Sequence, residues 1–339
     1  MASLTIEETD LDIPYKGGKV TSVCLLEGGR LAIGSLDTMV QVWETNDDFR
    51  TNINFQRSLN GHTAPVSHLC MLSERRLASA SQDKTVRIWD ASGKCLHILE
   101  HSNVVTSICA IDDTHLVSAS WDNQTGNCLV LWNFVTGETK NMLDGHRKPV
   151  MSVCSLGDQQ FASGSLDHTV WVWNADNGKC LQVLEGHTDG VTSVCALGDG
   201  RIVSGSVDKT LRVWDSASGA CRHVLRGHTE WVTSVCVVSN LLIVSTSEDT
   251  TVRVWDARDG RSIQVISPED VWPGLWMQKV FDLFHGNLAF IYSDNTVHFW
   301  QLKQQGFRIA TGGYRTKRRR MKKPYKNKKA RRRTRKCLT

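Results

Sequence analysis

The chain has 339 residues, a formal net charge of +5 and 11 cysteines, and it holds no run of about 18 apolar residues, which argues against a membrane-spanning helix. The charge is divided: residues 315–339 carry 15 Lys or Arg and no Asp or Glu, so the rest holds 25 basic against 35 acidic residues, a net −10. One part of the chain is expected to be acidic and the other strongly basic, and their average describes neither.

Met1–Asp12 is acidic and lacks the basic-then-apolar order of a secretory signal. Within it, Leu4-Thr5-Ile6 reads as one short strand. From Tyr15 the chain falls into units. In the clearest, His187–Trp214, three short apolar runs of period near two are separated by turn residues, and a fourth run follows at Cys221–Leu225. That pattern predicts antiparallel strands. A Trp closes the third run of every unit, at Trp43, Trp89, Trp132, Trp173, Trp214, Trp255 and Trp300, at intervals of 46, 43, 41, 41, 41 and 45 residues. An Asp precedes each third run: Asp37, Asp83, Asp122, Asp167, Asp208, Asp249 and Asp294. Gly-His opens four units, at His62, His146, His187 and His228, and Glu100-His101 opens another.

Unit one (about 15–60) opens on Gly17-Gly18 instead, and its long polar link Glu44–Asn54 is expected to be a surface loop. Unit two (61–100) is regular. Unit three (101–144) has ten residues from Asp122 to Trp132 against six from Asp208 to Trp214, so Asn123–Asn127 is expected to protrude. Units four to six (145–185, 186–226, 227–266) are regular. Unit seven (267–301) has Trp272-Pro-Gly-Leu-Trp276 where others have Gly-His. Residues 303–339 have too few apolar side chains for a core and are expected to stay disordered until a partner neutralises them.

Seven units of about 40 residues with landmarks in register resemble the WD-repeat (WD40) family over roughly residues 15–302. The resemblance implies an all-β fold, a seven-bladed WD40 β-propeller of four-stranded antiparallel blades. Residues 1–14 would precede it, and 303–339 would follow as a basic, disordered C-terminal tail. A closed ring removes open sheet edges. Leu4–Ile6 is expected to supply the outer strand of the last blade, with Phe307–Ala310 as a competitor. The resemblance also implies a buried polar network in each regular unit: His62, Asp83 and Trp89; His146, Asp167 and Trp173; His187, Asp208 and Trp214; His228, Asp249 and Trp255. Each set includes a Ser of the second strand, which in unit five is Ser204 or Ser206. Units one and seven lack the matching His, which puts a full network there in doubt.

A Ser, a His and an Asp in one unit invite a catalytic reading. Repetition argues against it, because an enzyme needs one site. The set is expected to be structural, with no catalytic residues, metal or cofactor assigned. Cys24, Cys70, Cys109, Cys154, Cys195 and Cys236 recur one per unit near the end of the first strand, as small buried side chains do. No close CxxC pair suggests zinc.

Loops entering the first strand, and loops joining the second to the third, should share one rim. There Trp231 stands where other units have Gly190, Pro149 or Pro65, and Trp121 where others have Gln82, Leu166, Val207 or Glu248. With Asn123, they are the candidate protein-binding residues. The candidate nucleic-acid contacts are Arg315, Lys317, Arg318, Arg319, Arg320, Lys322, Lys323, Lys326, Lys328, Lys329, Arg331, Arg332, Arg333, Arg335 and Lys336. Fifteen cations in 25 residues exceed an ordinary solvated surface. The favoured partner is RNA or a ribonucleoprotein, including a ribosome-related one, with the nucleus, nucleolus or cytoplasm as the location. Two alternatives stay open: a signalling scaffold whose tail is only an import signal, and a substrate receptor of a cullin-4-type ubiquitin ligase. The second draws on Arg258, which follows Trp255-Asp256-Ala257 in a box resembling that of such receptors.

Overall fold

The computed structural model describes residues 4–12, 18–45, 54–122, 128–239, 241–267, 277–283, 287–292 and 296–304. These form seven four-stranded antiparallel sheets. Six follow the chain directly. Blade five, for example, runs Val191–Ala196, Arg201–Ser206, Leu211–Asp215 and Cys221–Leu225, from the innermost strand outward. The seventh is composite: Met277–Asp282, Asn287–Tyr292 and Val297–Gln304 are completed by Leu4–Asp12, with Leu4 opposite Gln304 and Glu8 opposite Trp300. The strand at the N-terminal end is longer than Leu4–Ile6, and Phe307–Ala310 lies outside the described residues.

The second strand of each blade is covered on both faces, which explains its small residues. In blade five, Ile202 to Ser206 are all buried. A Cβ on Gly205 would come within 2.6 Å of Val232 in the next blade, so the close approach of neighbouring sheets requires the missing side chain. The core is a series of inter-blade layers. Val170, Val172 and Leu184 of blade four pack on Val191, Val194, Ile202 and Trp214 of blade five. Ala289, Ile291, Val297 and Phe299 of blade seven do the same to Val20, Val23, Leu31 and Trp43 of blade one, which closes the ring. Each such buried aliphatic side chain contributes roughly 1.5–3 kcal/mol.

Two sets of polar contacts tie blades together. Around the centre, a first-strand side chain accepts the backbone N–H of the following blade: Ser22 from Leu69 (3.0 Å), His68 from Ile108 (3.3 Å), Ser107 from Val153 (3.3 Å), Ser152 from Val194 (3.1 Å) and Ser193 from Val235 (3.2 Å). At the joins of blades six and seven and of seven and one the first-strand side chain donates instead: Ser234 Oγ to the Val280 carbonyl at 3.4 Å, and Lys279 Nζ to the Thr21 carbonyl at 2.9 Å. Burial, followed by the repulsion of Lys279, pushes the His68 imidazole down to about 4, which suits a ring that accepts a hydrogen bond at Nδ1. At the perimeter, fourth-strand side chains donate to the outer turn of the next blade. Arg57 Nη1 reaches Ser92 O (2.5 Å), His97 Nε2 reaches Val135 O (3.1 Å), and Gln182 Nε2 reaches Ala217 O (3.0 Å).

The six recurrent first-strand cysteines are free thiols, and burial raises each above the ordinary thiol range. Cys236 is buried and the other five are half-buried. Cys180 and Cys221 of the fourth strands are exposed, unlike the first-strand set.

Candidate functional site

In blade five, Trp214 Nε1 donates to Ser204 Oγ (2.8 Å), Ser204 Oγ lies 2.7 Å from His187 Nε2, and His187 Nδ1 lies 2.8 Å from Asp208 Oδ2. Indole can only donate and an ionised carboxylate can only accept. The two ends are therefore fixed, Trp to Ser and His Nδ1–H to Asp, and with a neutral ring the Ser hydroxyl donates to His Nε2. One neutral imidazole satisfies the chain. Asp208 also takes the N–H of Thr188 (3.1 Å) and the N–H and hydroxyl of Thr210 (2.9 and 2.6 Å), which fixes the turn before the third strand. Burial alone would raise the Asp208 carboxyl, but the bonds from His187 and Thr210 outweigh it and hold it well below the usual range. Ser206, the other candidate, is equally buried. It instead donates to Asp189 O (3.0 Å) and accepts from Asp208 N–H (3.0 Å).

The same geometry joins His62, Asp83, Ser79 and Trp89; His146, Asp167, Ser163 and Trp173; and His228, Asp249, Ser245 and Trp255. Every His in these sets is buried. A group enclosed this way and repeated in four blades is architecture. It offers no substrate access.

Sequence reasoning omitted blade three from the set. There His101 Nε2 lies 2.5 Å from Ser118 Oγ, which accepts from Trp132 Nε1 at 2.7 Å. The departure Glu100-His101 obscured it, and the structure explains that departure. A Cβ at Gly186 would meet Arg212 Nη1 at 2.7 Å, and at Gly145 it would meet Trp171 at 2.4 Å. In blade three Val130 occupies that third-strand register, opposite Ser118 as Arg212 is opposite Ser204. A short side chain leaves room for Glu100. Trp171 itself stacks on Trp173 (centroids 5.2 Å, interplanar 26°), where Arg212 and Arg253 lie over Trp214 and Trp255.

In blades one and seven, Ile33 and Phe290 replace the Ser, and the indole nitrogens of Trp43 and Trp300 have no partner among the described residues. The contact to the turn Asp survives in blade one in another form: Gly18 N–H donates to Asp37 Oδ2 at 2.9 Å.

The rim is built by a second repeated device. In blades one to six the residue after the second strand donates its N–H to the carbonyl of the residue before the first strand. The pairs are Leu36 to Lys19 (2.8 Å), Gln82 to Pro65 (2.9 Å), Trp121 to Val104 (2.8 Å), Leu166 to Pro149 (3.0 Å), Val207 to Gly190 (2.9 Å) and Glu248 to Trp231 (2.9 Å). The two loop series therefore share one face, and their backbone is rigid. From it Trp121 and Trp231 stand 41% and 47% exposed. Arg258 lies in the turn after the third strand of blade six, on the opposite rim. Its side chain is 63% exposed and holds Asp256 through Nη2 at 2.5 Å. Asn123 and Arg315–Lys336 lie outside the described residues. Among those described, no group of His, Cys, Asp or Glu is placed to hold a metal ion.

A ring of seven four-stranded blades, sewn by a Trp–Ser–His–Asp set, defines a repeat propeller. The family described as WD domain, G-beta repeat, matches residues 53–90, 93–125, 137–174, 178–215 and 219–256, and the chain belongs to it. Each complete repeat begins on the outer strand of one blade and runs into the inner strands of the next. The repeat is thus offset from the blade and covalently links neighbours. No curated protein matches the chain in sequence.

Proposed function

We propose that this chain is a non-catalytic scaffold that seats protein partners on the rim carrying Trp121 and Trp231. Its segment 315–336 engages RNA or a ribonucleoprotein, ribosome-related particles included. WD40 propellers typically serve as protein-interaction scaffolds, and a large aromatic on a rigid backbone loses little entropy when covered. The observation that carries the finer reading is the charge division: 15 cations without one acidic residue, joined to a sequence of net −10. Such a segment neutralises phosphates and releases their counterions, and the acidic wheel does not compete for them. The same run suits nuclear or nucleolar import.

The test is RNA binding by the full chain and by a chain lacking 315–339, across a salt series. Affinity should fall steeply with salt, by about a thousand-fold between roughly 50 and 200 mM, and vanish on deletion. Affinity unchanged by the deletion would overturn the reading. Capture from cells with the full chain and with Arg258→Ala adds the competing outcome. A cullin adaptor lost only from the variant would replace this reading with a ligase receptor.

A further inference from the structure

The seam between blades one and two carries a shallow cleft, partly open to solvent, on the rim opposite the exposed tryptophans. Leu26, Leu59 and Leu77 line it together with Arg30, Arg57 and Arg75. Repetition supplies an internal control for these arginines. Arg57 stands opposite Val42, and in the same register the other blades have His97, Asn141, Gln182, His223 and Gln264. Gln182 makes the perimeter contact to the next blade at 3.0 Å without a charge. That contact uses only Nη1 of Arg57. The charge at this position therefore exceeds what the architecture needs.

The other two cations are also under-used. Arg30 donates through Nε to the Glu27 carbonyl at 3.2 Å and meets no carboxylate among the described residues. Its counterparts Arg76 and Arg201 are each paired with a carboxylate, Glu74 and Asp199, at 2.8 Å. Arg75 holds Glu27 only at 3.4 Å, with both side chains at least half exposed, a contact easily displaced. Asp90 borders the cleft, but its Oδ1 is committed to its own turn, taking the N–H groups of Ser92 (2.8 Å) and Lys94 (3.0 Å) and the Ser92 hydroxyl (2.6 Å).

We infer that this seam seats an acidic segment of a protein partner, with one carboxylate entering between the three guanidiniums. A planar carboxylate matches a guanidinium edge with two parallel bonds. The leucine lining suits the aliphatic stem of a glutamate. Among the described residues no aromatic lines the cleft, so they offer a nucleotide nothing to stack on.

The experiment uses the full chain and a photoreactive peptide rich in Glu and Leu, with labelled positions mapped by mass spectrometry. Labelling is expected at 26–30, 57–59 and 75–77 and should drop about tenfold in Arg57→Gln. The unfolding midpoint should hold, because a glutamine already serves this contact in blade four. Labelling confined to 315–339, or equal in wild type and Arg57→Gln, overturns the inference. So does a photoreactive RNA that labels the seam in preference to the peptide. If Arg57→Gln lowers the midpoint, Arg30→Gln, away from the perimeter contact, decides: reduced labelling supports the inference and unchanged labelling overturns it.

Discussion

Blades two, four, five and six tether their Trp through Ser and His to Asp, whereas blades one and seven keep the Trp and abandon the tether. Ile33 and Phe290 fill the place of the hydroxyl, and Phe55 and Phe290 meet the orphaned indoles at 5.3 and 5.1 Å. An unpaired buried N–H costs roughly 1–3 kcal/mol, which an additional buried apolar side chain can offset. The set behaves as a unit. Where the hydroxyl is present it serves both Trp and His, in blade three as in the four complete sets, and where it is lost hydrocarbon fills its place; losing the hydroxyl without that filling is the expensive arrangement.

Ser204→Ala creates that intermediate. It strands His187 Nε2 and Trp214 Nε1 together, and should cost about 2–6 kcal/mol, or roughly 1–3 for each orphan, in urea unfolding. A loss no larger than that of a surface serine would break the comparison. The converse change, Ile33→Ser, offers Trp43 a hydroxyl but removes a fully buried Ile from the closing layer. Losing that side chain costs about 2–5 kcal/mol and one hydrogen bond returns about 1, so the variant should be less stable by about 1–4. A stabilised variant would show that hydrocarbon does not compensate in blade one.

The smallest expected effect is in pH. Burial pushes His101 down to about 4, below its ordinary 6.5, as it does His68. Between those limits the unfolded chain binds the proton first, so stability should decline as pH falls from 6.5 toward 4. Each group should contribute on the order of 1–3 kcal/mol. His101→Asn should flatten its share of the slope in chemical denaturation across that window. An unaltered slope would mean that His101 is not held neutral. Asp208 and its counterparts act in the same direction at lower pH, because their depressed carboxyls stabilise the fold only while ionised.

The repeat was legible because Trp and Asp each recur at positions the architecture cannot vary. The choice between Ser204 and Ser206 was not. They lie two residues apart on the same face of one strand, and both are wholly buried. Only the pairing of Ile202 with Trp214 decides which hydroxyl the indole meets. Blade three was missed for a related reason: the Gly before His answers to the bulk of a third-strand residue some thirty positions later. The partial exposure of Trp231 was also hidden, since sequence does not show how much of an aromatic its neighbours cover. The charge surplus at Arg57 became visible only when the registers of six blades could be compared.

The composite seventh sheet has a consequence for how the protein is made. Leu4 must find Gln304, so the earliest strand waits until almost the whole propeller has been synthesised before it can pair. Until then the apolar face of blade one, with Val20, Val23, Leu31 and Trp43, has no blade seven to cover it, and the last sheet lacks its outer strand. Such long-range pairing is slow. Arrest of translation anywhere in the last blade would leave a near-complete but uncapped arc, a natural client for chaperones.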